Sequence, residues 1–251
     1  MFDITIDGIQ ASVNEGRTIL DAARSVGIDI PTLCFHRSLR PHRACRICTV
    51  EVTRGDKVSY LTACSYKITE PMVVNTRSGG ALARRREIAA GLLGSSAGAP
   101  AVRRIAREAG IGDLPDGQEN RCIRCGLCVR VCDQVIGRKA LTYEKGAADT
   151  PYTTVTDGCI GCGTCAAVCP TGAITVTDTN GVRRFEQGKR EFTLVSCGQC
   201  GRPITTEEHL SVIREKRSLP DEVALVCPSC KRARFGDRVL TGSSVTPPSV
   251  S

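Results

Sequence analysis

Apolar and polar residues alternate with a period of two at the start of the chain. F2-D-I-T-I-D7 and Q10-A-S-V-N14 face each other across Gly8 and predict a hairpin. Residues Thr18 to Ser25 then switch to a helical pattern; Thr18 and Asp21 stand at capping-box spacing and Gly27 is placed to stop the helix. Alternation returns in T49-V-E-V-T-R54 and V58-S-Y-L-T62 around a Gly-Asp-Lys turn, and again in M72-V-V-N-T76. From residue 81 to 110 the period is helical: Leu82, Arg85, Ala89 and Leu92, then Val102, Ile105, Ala106 and Ala109. The small-residue stretch from Gly94 to Pro100 between them reads as a flexible joint. Beyond residue 120 cysteine runs dominate, each followed by a strand-like segment, and the Ser/Pro-rich end from Thr241 reads as disordered.

Composition changes the picture through one residue type. Sixteen of 251 residues are cysteine, against no Trp, five Phe and four Tyr. Such a chain buries few large rings, so bound metal is expected to supply part of its stability. The sequence shows no basic and apolar leader and no stretch able to span a bilayer. It is therefore read as soluble and cytoplasmic, and its thiols as metal ligands rather than disulfides. The formal charge of +8 counts every cysteine as neutral. Thiolates on anionic clusters would cancel most of it, so the basic excess is read as counter-charge and no nucleic-acid partner is expected.

The cysteines fall into four sets of four. The two central sets repeat with a period of about 37 residues: C122-I-R-C125-G-L-C128-V-R-V-C132 and C159-I-G-C162-G-T-C165-A-A-V-C169, the second followed by Pro170. A [4Fe–4S] cubane takes three thiolates from a tight two-residue-gap loop and its fourth from the other run. The sets expected are therefore Cys122, Cys125, Cys128 and Cys169, and Cys159, Cys162, Cys165 and Cys132. Gly126, Gly161 and Gly163 suit loops whose backbone closely approaches the cluster.

The first set, Cys34, Cys45, Cys48 and Cys64, has gaps of ten, two and fifteen residues. Three soft ligands on one loop and a fourth from a later strand, in a strand-pair, helix, loop, strand-pair order, suit a [2Fe–2S] centre in a β-grasp frame. With all four cysteines present, His36 and His42 are read as structural or surface residues. The last set, C197-G-Q-C200 and C227-P-S-C230, forms two knuckles that close a tetrahedron around a structural zinc, with mononuclear iron as the alternative. The predicted fold is α+β: a β-grasp [2Fe–2S] ferredoxin domain over 1–78, a helical linker over 79–119, a bacterial-type 2[4Fe–4S] domain over 120–185, a zinc-ribbon or rubredoxin-like module over 190–238, and a disordered tail over 239–251. No nucleotide-binding Gly-rich motif and no nucleophile–base set is legible, so no catalytic residue is assigned.

The context I30-P-T-L-C34-F-H, A44-C45-R-I-C48-T-V-E-V and R124-C-G-L-C-V-R-V-C132-D-Q-V-I-G137 resembles the N-terminal part of the iron–sulfur subunit of complex I. It equally resembles the diaphorase iron–sulfur subunits of NAD-linked hydrogenases and formate dehydrogenases. The resemblance implies an electron-transfer subunit of a multi-subunit oxidoreductase. Its implied partners are a flavin- and NAD(P)-binding diaphorase-type subunit and a catalytic subunit such as a hydrogenase, formate dehydrogenase or other reductase. A free polyferredoxin carrier is the alternative, and a redox-sensing zinc-ribbon regulator a further one. Members of that family carry one more cluster on one His and three Cys in the linker. Residues 81–121 contain neither residue type, which leaves open where the binuclear centre's electron goes.

Overall fold

In the computed structural model, residues 1–112, 121–143, 153–186, 189–217 and 219–240 are described; the expected tail from 241 lies outside them. The chain divides into two compact units. One comprises Met1–Thr156 with Thr164–Thr175, the other Asp157–Gly163 with Val176–Ser251.

The first unit opens with strands β1 (Phe2–Ile6) and β2 (Ile9–Val13), paired antiparallel around Asp7 and Gly8. Both turn residues have positive φ, 48° and 85°, the twist that a two-residue hairpin needs. Helix α1 (Ile19–Ser25) starts where expected. Thr18 Oγ1 accepts from the Asp21 amide, and the Asp21 carboxylate accepts from the Thr18 amide in return. Its Ile19 and Leu20 are fully buried, worth roughly 1.5–3 kcal/mol each. Strands β3 (Thr49–Arg54), β4 (Lys57–Thr62) and β5 (Met72–Asn75) complete a five-stranded sheet of order β2-β1-β5-β3-β4. The one parallel pair, β1 with β5, lies in its interior. The core of sheet and α1 includes Ile6, Val50, Val52, Ile68 and Val74, and Cys48 and Cys64 are part of it.

Helices α2 (Gly79–Ser96) and α3 (Pro100–Glu108) follow. Ser78 caps α2 by accepting from the Ala81 amide at 3.1 Å. The buried side of α2 runs Ala81, Ala89, Leu93, whereas Leu82, one of the residues at helical spacing, is exposed. The joint differs from expectation. α2 continues through Gly94, Ser95 and Ser96, and Ala97 and Ala99 are fully buried. Ser96 Oγ donates to the Cys122 carbonyl at 2.9 Å. Small residues here permit close packing rather than flexibility.

Helix α4 (Leu127–Val131) carries the first cysteine run into a π turn over Cys132–Ile136. A short antiparallel pair, β6 (Leu141–Tyr143) with β7 (Thr153–Val155), and helix α5 (Thr164–Ala167) complete this unit.

The second unit is built on an antiparallel sheet of order β11-β10-β9-β8. Its strands are β8 (Val176–Thr179), β9 (Val182–Phe185), β10 (Arg190–Ser196) and β11 (Pro203–Thr206). β8 and β9 meet at Asn180-Gly181, both with positive φ. β9 pairs with β10 in register from Phe185–Arg190 to Val182–Thr193, so the sheet spans the boundary expected between residues 185 and 190. Helix α6 (Glu207–Arg217) packs on β10 and β11, with Phe185, Phe192, Leu194 and Leu210 buried. Two further helices are α7 (Asp221–Ala224) and α8 (Pro228–Leu240). A zinc ribbon would put both knuckles on hairpins. Here only Cys197 and Cys200 follow a strand, while Cys227 and Cys230 sit at the head of α8, with Pro228 in its first turn. No described helix is long and apolar enough to cross a membrane.

Candidate metal centres

The loop between α1 and β3 delivers Cys34, Cys45 and Cys48, and Cys64 follows β4; all four are buried. Positive φ at Arg43 and Arg46 lets the loop turn sharply around Cys45. The sulfurs form two couples. Cys34 and Cys45 Sγ are 3.3 Å apart, and the Cys45 amide donates to Cys34 Sγ at 3.5 Å. Hydrogen bonding from Cys45, against the cost of burial, pulls the Cys34 thiol down to about 6 and pushes Cys45 up. Cys48 and Cys64 repeat the arrangement, Cys48 lowered by Cys64 and Cys64 raised by Cys48. Four buried sulfurs sharing protons within two couples form a soft, anionic donor set, and two couples fit two irons. His36 makes a local contact instead, its Nδ1 accepting from the Ser38 amide at 3.3 Å.

Cys122 and Cys125 lie on the loop entering α4, where Arg124 and Gly126 take positive φ, and Cys128 stands in the first turn of the helix. Burial pushes Cys125 up to about 11 and Cys128 up to about 12, and it also raises Cys122. In all three the charge of Cys169, from the other run, adds to the rise. Cys169 itself is lowered. Burial opposes its charge, but hydrogen bonds from Thr171 and from backbone amides, including Ala173 N at 3.2 Å, outweigh that cost. The charge of Cys169 thus reaches all three cysteines of the other run. Cys125 also feels Cys34, and Cys34, Cys45, Cys125, Leu127 and Val131 belong to one buried cluster.

Of the second set, Cys132 and Cys165 lie in the first unit and Cys159 and Cys162 in the second. Cys132 Sγ accepts from the Ala140 amide at 3.3 Å, and Cys159 Sγ from the Gly161 amide at 3.4 Å. The loop Cys159–Gly163 is fastened to the sheet of its own unit. Arg183 Nη1 donates to the Gly161 carbonyl at 3.0 Å while its other nitrogens hold Asp178, and Thr206 Oγ1 donates to the Ile160 carbonyl. Spacing alone revealed neither clamp. Gly161 has φ +65°, and a Cβ there would stand 2.6 Å from Phe192 Cγ and 2.7 Å from Thr206 Cγ2. Gly161→Ala is expected to cost roughly 2–4 kcal/mol, read as a lower thermal midpoint and a lower iron content. Gly163→Ala, whose nearest obstacle is 3.4 Å away, is expected to cost only the strain of its φ, about 1 kcal/mol.

Cys197, Cys200, Cys227 and Cys230 place their sulfurs within 4.8 Å of one another, Cys200 and Cys227 at 3.7 Å. A tetrahedral ion with metal–sulfur bonds near 2.3 Å separates its thiolates by about 3.8 Å, so this set is sized for a single ion. The Cys227 amide, donating at 3.3 Å, leads the interactions that hold Cys197 down at about 6, and the Cys227 thiol pushes Cys230 up to about 12.

Residues 1–79 match the model of a 2Fe-2S iron-sulfur cluster binding domain, and residues 117–176 and 158–205 match models of 4Fe-4S dicluster domains. The chain is 34% identical to the NADP-reducing hydrogenase subunit HndD of Solidesulfovibrio fructosivorans over a 218-residue alignment covering 69% of this chain and 36% of that protein. It is 30% identical to an NADH-quinone oxidoreductase subunit of Mycobacterium tuberculosis (strain CDC 1551 / Oshkosh) over 241 residues, 80% of this chain and 28% of the other. The chain thus spans about a quarter to a third of the length of these relatives. A chain of an NAD+-reducing [NiFe]-hydrogenase shares the fold at a TM-score of 0.54 and 24% identity, over 74% of this chain and 88% of that one. With a 2Fe-2S domain followed by 4Fe-4S dicluster sequence, the chain is homologous over these stretches to part of an NADP-reducing hydrogenase subunit and of an NADH-quinone oxidoreductase subunit.

Proposed function

We propose that the chain relays single electrons, as a cytoplasmic iron–sulfur subunit, between a flavin- and NAD(P)-binding partner and a catalytic oxidoreductase subunit. Iron–sulfur centres supply the one-electron chemistry, and the chain supplies ligands, burial and hydrogen bonds that set their potentials. The observation that carries the reading is the shared buried cluster of Cys34, Cys45 and Cys125. Common membership of one buried cluster supports direct passage of an electron from the proposed binuclear ligands to those of the first cubane, without a further ligand set in the cysteine-free linker. The [2Fe–2S] centre takes Cys34, Cys45, Cys48 and Cys64; the first cubane takes Cys122, Cys125, Cys128 and Cys169. The second cubane set, Cys159, Cys162, Cys165 and Cys132, rests on the spacing of the two runs. For Cys197, Cys200, Cys227 and Cys230 a single tetrahedral ion is supported by all four sulfurs lying within 4.8 Å of one another; we take it as structural zinc, with mononuclear iron as the alternative.

Anaerobic isolation of the native complex tests this reading. The expected result is co-purification with a flavoprotein and a catalytic subunit, about ten irons and one zinc per chain, and a binuclear EPR signal. Purification as a lone chain would favour the free carrier. Zinc in the N-terminal site would overturn the relay.

A further inference from the structure

Arg130 stands on α4 between two cluster cysteines, Cys128 and Cys132, yet its guanidinium reaches the binuclear loop. Nη1 donates to the Arg40 carbonyl at 2.6 Å and Nη2 to the Cys34 carbonyl at 3.3 Å. Nε is buried and has no hydrogen-bond partner among the described residues. The surroundings are apolar: Leu33, Cys34, Leu39, Cys45 and Ile47 from the loop meet Cys125, Leu127 and Val131 from the cubane segment. Arg130 is half-buried, its Nε enclosed and its Arg40 contact at the exposed edge, so its charge acts mainly on the groups nearest to it. It also favours the ionised form of Cys34.

We infer that Arg130 is a positioning residue for electron transfer, which pins the binuclear loop to the cubane helix and raises the reduction potential of the [2Fe–2S] centre through its charge. The inference rests on the proposed ligand sets. Two carbonyl contacts from one planar group fix the approach of loop and helix in both distance and angle, which a lysine's point charge does not reproduce. The charge acts on the potential because reduction adds one negative charge beside Cys34, and a fixed positive charge stabilises that state. A second arginine provides a contrast. Arg85 on α2 donates Nε to the Thr49 carbonyl at 2.9 Å, lies on the Cys48 side of the site, and among the described residues has a buried Nη2 without a hydrogen-bond partner and no hydrogen bond to the cubane helix.

The test uses the anaerobically purified full chain and reads redox-titrated EPR and iron content, so it does not depend on turnover. A binuclear signal in the parent chain verifies the ligand reading; its absence would sink that reading separately. Arg130→Leu is expected to retain its iron, to become about tenfold harder to reduce at the binuclear centre (59 mV for a one-electron couple), and to lose magnetic broadening between that centre and the first cubane. Arg130→Lys should stay within about threefold of the parent in reducibility while losing the broadening. Arg85→Leu should shift the potential and keep the broadening. Unchanged potential and broadening in Arg130→Leu would overturn the inference. If that variant fails to load iron, Arg130→Lys decides, since unchanged broadening there overturns the pinning role.

Discussion

Replacing Cys169 with alanine is expected to remove the cubane of the first run and to spare the one whose three loop cysteines precede it in its own run. Cys169 is the sulfur whose hydrogen bonds from Thr171 and the Ala173 amide favour ionisation, and its charge raises Cys122, Cys125 and Cys128. Without it, three thiols remain, two of them pushed up to about 11 and about 12 by burial. Three sulfurs with little tendency to ionise make a poor substitute for a four-thiolate set. Iron content should fall by about four per chain, with one cubane signal lost and the binuclear signal retained. Cys132→Ala should give the same iron loss but remove the other cubane. The identity of the cubane each variant loses distinguishes crossed from uncrossed ligation: loss of the Cys159, Cys162 and Cys165 cubane in Cys169→Ala, and of the Cys122, Cys125 and Cys128 cubane in Cys132→Ala, would refute the crossing.

Where backbone pattern and local chemistry agree, the sequence predicted the fold closely. The Gly8 hairpin, the Thr18 cap and strands β3 to β5 each depend on neighbours within a few residues, and each forms where the alternation places it. The Ser/Ala/Gly joint failed as a prediction because small residues serve both flexible loops and tight packing. Burial of Ala97 and Ala99 against the cysteine segment decides between these uses, and only tertiary contacts show it. The β8–β9 hairpin had a legible signal, Asn-Gly flanked by alternating residues.

Ligand spacing is covalent information, so the sequence alone suggests how the sixteen cysteines group into sets. What spacing could not supply is the environment of each set. Nothing in the sequence pattern marks Arg130 or Arg183, yet each fastens a cysteine loop through backbone carbonyls. Carbonyl acceptors leave no trace in side-chain pattern, and this is why the clamps were missed. The ribbon expectation for the last set failed for a related reason: C-P-S-C fits a knuckle on either a hairpin or a helix start. Pro228 is the clue to the second, since its missing N–H is unneeded in a helix's first turn.

Removing metal from the C-terminal set is expected to unravel its surroundings while leaving the binuclear centre spectroscopically intact. The four sulfurs join the end of β10 to the head of α8 across 26 intervening residues between the two knuckles. Around them the buried apolar cluster is small, Val226 with Cys197 and Cys227 and the half-buried Ile204. So little apolar burial cannot hold the two knuckles together by itself, and the metal–thiolate bonds provide the main tie. Cys227→Ala removes the sulfur that stands 3.7 Å from Cys200 and accepts from the Cys230 amide, so it should abolish metal binding rather than weaken it. The thermal midpoint of the second unit is expected to fall by about 15 °C or more, with Lys231 and Arg232 on α8 becoming readily cleaved by trypsin. A chelator treatment of the parent chain should reproduce both effects. Retention of midpoint and protease resistance in the metal-free protein would show that the sheet and α6 hold this end of the chain alone, and that its metal has a role other than structural.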